Sequence, residues 1–163
     1  MDFTILLIWV HLAGIVTWVG LWFITVLALI PLRKHLTGSA LANFIEDYRG
    51  RYTAITWSAM AIFIVTGTIL MLNDENYPGL GQFFDSEWAT LIFIKHIVVV
   101  LMIGISLILL NGILPRLITA TVASDQPSVD RLLKREKFAV ITLAALGLAV
   151  LFIIAMVGDL HAE

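Results

Sequence analysis

The stretch WATLIFIKHIVVVLMIGISLILLNGILPR, residues 88–116, decides the fold. From Trp88 to Leu114 its polar side chains are only Thr90, Lys95, His96, Ser106 and Asn111. A helix of about 20 apolar residues crosses a bilayer, and this run is longer. It has no polar face of the kind a surface helix of a soluble protein carries. It therefore predicts a transmembrane helix, closed by Pro115 and Arg116.

Three similar runs lie around it, at about residues 3–32, 52–72 and 138–157. Pro31 with Arg33 and Lys34 marks the end of the first. The chain of 163 residues is 60% hydrophobic and 13% charged, whereas soluble domains carry roughly 25% charged residues. The expected fold is all-α: one integral-membrane four-helix bundle over residues 1–163. Residues 39–51 read as an amphipathic helix leading into the second span, with Leu41, Phe44, Ile45 and Tyr48 at helical spacing. Pro78, Gly79 and Gly81 break the helix before the third span. A polar link with Ser124, Asp125 and Pro127 leads to a charged helix start at Arg131 to Lys137. The N-terminus, Met-Asp-Phe-Thr, has no positive region, so the first run reads as a retained span and not a cleaved signal.

The charges orient the bundle. Arg33, Lys34, Arg49 and Arg51 flank the first connection, and Arg116, Arg131, Lys134, Arg135 and Lys137 the third. The second connection carries only Asp74, Glu75, Asp85 and Glu87. The positive-inside rule then places both termini and the second connection outside.

Lys95 is the one charged residue within an expected span, and intramembrane ionisable groups are functional candidates by default. His96 follows it, and His11 lies in the first span. All three fall about eight residues from the outer end of their spans, roughly 12 Å deep, on helices that run the same way. A faint internal repeat accompanies this. His11 precedes Pro31 by 20 residues and His96 precedes Pro115 by 19, while Arg51 to Thr56 resembles Lys137 to Thr142. Two helix hairpins related by an axis along the membrane normal would produce it and would make the two histidines equivalent.

Two facing imidazoles are a standard axial pair for haem iron, so His11 and His96 are candidate ligands of haem b. Gly14 and Gly104 would leave room for the flat ring, and Trp18, two turns from His11, would pack on it. Each histidine can instead simply bond a neighbouring helix. Lys95 would pair with a haem propionate, donate a proton to substrate as the catalytic residue, or stretch its amine to the headgroups. Copper is the alternative. Met71 and Met156, with His161 beyond the fourth span, would form a Cu(I) entry site, set against plain core filling by methionine. Trp9, Trp57 and Trp88 fall near span boundaries, as interfacial aromatics do. There is no Cys, hence no disulfide or thiolate site. No phosphate loop, serine triad, paired carboxylate or nucleic-acid-binding basic stretch is visible.

The run Trp9-Val10-His11-Leu12-Ala13-Gly14 followed by Trp18-Val19-Gly20 resembles the first helix of the copper-resistance CopD domain and its HemJ-like relatives. Arg51-Tyr52 with Thr66-Gly67 resembles their second helix, Trp88 to Lys95 their third, and Asn111 to Arg116 the end of that helix in small stand-alone members. The resemblance implies a multi-pass protein of a prokaryotic plasma membrane. It implies either copper uptake or tolerance, or haem b binding with oxidation of a porphyrinogen, His11 and Lys95 matching the family's His and Lys. The fourth span begins Glu136-Lys137-Phe138 and lacks the Asn-Glu-x-Pro run of HemJ-like proteins. Three functions stand as expectations. The first is a b-type haem protein and possible oxidoreductase, moving electrons near the outer face from a quinol, a porphyrinogen or a protein donor. The second is a copper transport or tolerance protein. The third is a structural accessory subunit. The expected partners are the lipid bilayer and a second copy or a membrane complex, with no nucleic acid.

Overall fold

The computed structural model describes residues 3–75, 77, 79, 82 and 84–159, Asp159 by its backbone alone. Pro78, Gly81 and His161, singled out above, lie outside the described residues. Four long helices carry the apolar runs: α1 Phe3–His35, α2 Gly38–Leu72, α3 Glu87–Val122 and α4 Gln126–Gly158. No strand occurs among the described residues. The helices pack in a ring, α1 on α2, α2 on the second half of α3, α3 on α4, and α4 back on α1.

The helices are inside out by the standards of a soluble bundle. Phe3, Trp9, Leu27, Phe138 and Phe152 are all at least 68% exposed. At most 39% of the most apolar window of any helix is buried within the bundle. The remaining apolar surface requires a hydrocarbon solvent, which a bilayer supplies.

The inward stripes follow one spacing. On α1 it is His11, Ile15, Trp18, Trp22 and Thr25; on α3 it is Lys95, Val99, Met102, Ser106 and Leu109. Steps of four and three residues keep one helix face toward its neighbours. Each stripe runs into a π-turn, Thr25–Leu29 in α1 and Leu109–Ile113 in α3, and each π-turn lies just before a proline, Pro31 or Pro115. The register is therefore constant at 84 residues, and it pairs His11 with Lys95. This corrects the equivalence of His11 with His96 drawn from the sequence.

The π-turns also explain why α3 runs on through Pro115 to Val122 rather than stopping there. A proline ring normally clashes with the preceding turn and removes a hydrogen bond. Here that turn is already widened, with Leu114 N–H bonded five residues back to Leu109 O. The loosened carbonyls find other donors: Arg49 Nε donates to Leu110 O at 2.9 Å. In α1, the Thr25 hydroxyl reaches Leu21 O at 2.8 Å and Tyr52 Oη at 2.9 Å.

A second departure concerns charge. Glu136, expected outside the spans at a charged helix start, is 0% exposed, and Arg33 is 7% exposed. They form an ion pair. Tyr48 Oη donates to the other carboxylate oxygen, Oε1, at 2.7 Å. Both α2 and α4 extend as unbroken helices well past the apolar runs, so three elements bury these polar groups together at the basic end.

α3 starts at Ser86, whose Oγ accepts from Ala89 N–H at 3.1 Å. Ser86→Ala is expected to lower stability by about 1 kcal/mol, measured by thermal unfolding in detergent. An unchanged midpoint would mean that water caps this helix equally well.

Candidate functional site

A cavity toward the acidic end lies between all four helices and has a volume of about 90 Å³. His11 and Trp18 of α1, Gly67 of α2, and Lys95, His96 and Met102 of α3 are among the residues that line it. Residues separated by more than eighty positions thus share one pocket, as the matched depths on parallel helices predict. Trp18 stacks on Phe63 at 5.1 Å, which fixes one wall. Met102 is 0% exposed. His96 is exposed at the rim, while His11 and Lys95 are half-buried.

The hydrogen bonds assign both imidazole tautomers. His96 Nδ1 lies 2.6 Å from Ile92 O. A carbonyl only accepts, so Nδ1 carries the proton and Nε2 keeps its lone pair. His11 Nδ1 lies 3.0 Å from Thr66 Oγ1. That hydroxyl donates its own proton to Ile62 O at 2.7 Å, so it receives the Nδ1–H of His11. In this neutral tautomer each ring keeps its lone pair on Nε2, while Nδ1 is held by a protein oxygen. This is how ligating histidines are usually oriented.

The site has a built floor on α2. A Cβ on Gly67 would lie 2.6 Å from His11 Cε1 and 3.3 Å from Nδ1. Only glycine lets the ring lie against this helix. Lys95 lines the same pocket, and Asp74, just beyond α2, interacts with its charge electrostatically.

Thr66, Gly67 and Met102 join the residues chosen from sequence. Thr66-Gly67 had a signal in its likeness to the end of a family helix. Met102 had one in its spacing, seven residues after Lys95 on the same stripe. Gly14 and Gly104 do not line the cavity. Gly14 sits against α2, where a Cβ would lie 3.2 Å from Ala59 O, and a Cβ on Gly104 would meet nothing within 4 Å. Met71 packs with the cluster of Trp88, Ala89 and Ile92 at the acidic end, and Met156 is 38% exposed.

The cavity can be tested for fit. Pockets for small organic ligands commonly measure about 300–1,000 Å³. At about 90 Å³ this one does not enclose a haem macrocycle unless the helices part. It does suit a single ion with a few side-chain donors. Among the described residues no three His, Cys, Asp or Glu side chains cluster as a metal site. Any third protein donor here must come from another residue type, and Met102 is the sulfur atom present.

No curated protein and no solved structure matched the chain. A family model, copper resistance protein D, matches residues 47–157, a segment that holds α3 and, in Thr68, Lys95, His96 and Met102, most of the cavity's polar and sulfur groups. The match covers more than half of the chain, whose four apolar helices make it a multi-pass membrane protein: it belongs to the copper resistance protein D (CopD) family.

Proposed function

We propose that this protein handles copper, taking Cu(I) as cargo at the cavity bounded by His11, His96 and Met102. The observation that carries this is the two imidazoles, each anchored through Nδ1, that line one small cavity with a thioether in its wall. Imidazole and thioether ligands suit Cu(I), and a hard dication would prefer oxygen donors. Family membership supports the choice of metal. The charge pattern supports an orientation with the acidic end and both termini outside, so the cavity would load from the outer face of the plasma membrane. His11 is set by Thr66, His96 by its own backbone, and Trp18 and Phe63 exclude water from one side. Lys95 beside the ion weakens its hold by like charge and favours release.

The test is Cu(I) affinity in detergent by competition with a chromophoric Cu(I) chelator. His11→Ala and His96→Ala are each expected to weaken binding at least tenfold, and Met102→Leu by less. Lys95→Met is expected to tighten it. Affinities unchanged in both histidine variants would remove the cavity as the copper site.

The second function, haem b held by His11 and His96 in an electron carrier, is favoured by the same two imidazoles on two parallel helices. It requires the helices to separate around the ring. Lys95 would then face a propionate, and a quinol or porphyrinogen would supply electrons. Low-spin haem lost in both histidine variants would establish it in place of copper.

A further inference from the structure

At the opposite, basic end, the seam between α3 and α4 opens into two adjoining grooves of about 680 and 530 Å³. Arg116, Leu132 and Arg135 line both. The first extends toward mid-membrane between Ile108 and Phe138, which are 63% and 74% exposed. Lys134 also lines the first and Arg131 the second. The π-turn shapes the wall: Gly112 lies within it, and a Cβ there would meet nothing within 4 Å.

From this we infer a binding site for an anionic phospholipid. Arg116, Lys134 and Arg135 are exposed and have no hydrogen bond or ion pair among the described residues. Arg131 donates to Ser128 Oγ, at 3.3 Å, and has Asp125 as an electrostatic neighbour. One carboxylate, Asp125, lines the second groove, where it accepts from Ser128 N–H at 3.3 Å. The balance in the grooves is four cations to one anion. The cations sit at the helix ends and the apolar walls run from them toward mid-membrane. That order matches a lipid, with its phosphate at the headgroup level and an acyl chain along Ile108 and Phe138. A free phosphate would satisfy the cations and leave the apolar groove without an occupant. The site is separate from the His11 cavity and does not depend on what that cavity binds.

Native mass spectrometry of the whole protein in detergent tests this, with dioleoyl phosphatidylglycerol and dioleoyl phosphatidylcholine as probes. The anionic lipid is expected to be retained roughly tenfold better. Arg116→Gln combined with Arg135→Gln should erase that preference. Gly112→Trp, which keeps every charge and fills the groove, should weaken lipid retention as well. Lys34→Gln combined with Arg51→Gln removes the same charge elsewhere and should retain the preference. Equal retention of the two lipids would overturn the site, as would equal loss from both charge pairs. Displacement of the lipid by millimolar inorganic phosphate would overturn it in favour of a plain anion site.

Discussion

Glu136→Ala is expected to destabilise the bundle by about 3–5 kcal/mol, the cost of leaving a buried partner charge uncompensated. Arg33 would lose its carboxylate in a site where it is 7% exposed, and Tyr48 would lose its acceptor. Arg33→Ala should cost a similar amount by stranding Glu136. The double variant Arg33→Met with Glu136→Leu should lie far closer to wild type, because apolar residues of similar size often replace a buried pair without loss. Unfolding in mixed micelles, followed by circular dichroism, measures all four proteins. A single variant within about 1 kcal/mol of wild type would mean that water reaches this pair, since exposed ion pairs contribute only that much.

Gly67→Ala is expected to leave the fold intact and to reduce Cu(I) affinity by about 10–100-fold. Alanine favours a helix over glycine by about 1 kcal/mol, so α2 should not suffer. The added methyl meets only the far edge of the His11 ring, 2.6 Å from Cε1. The ring must swing away, and its bond to Thr66 goes with it. Gly104→Ala, where a Cβ meets nothing within 4 Å, serves as the neutral comparison. Copper binding by Gly67→Ala equal to that of wild type would show that His11 does not ligate.

The four-helix membrane architecture was legible because apolar run length alone decides it, and the shared depth of His11, Lys95 and His96 followed from the same lengths. What escaped was whatever depends on helix phase. Pro115 reads as a stop when the turn before it is assumed regular, and the π-turn Leu109–Ile113 has no motif of its own. That widened turn also sets the register that pairs His11 with Lys95. Glu136 looked like one more charge in a basic helix start, because its partner Arg33 is 103 positions away in the chain. The histidine tautomers depend on acceptors that only the packed helices supply, Thr66 Oγ1 in one case. Met102 was harder to see than the histidines, since most methionines in apolar helices are packing.

The central claim is that the His11 cavity takes copper. Its most direct test is metal analysis of the membrane-purified protein, paired with absorption spectra before and after dithionite, for wild type and for His11→Ala with His96→Ala. Copper handling predicts about one copper per wild-type chain, no Soret band, and loss of the metal in the double variant. Stoichiometric iron with a Soret band that disappears in the double variant would contradict it and establish haem in its place.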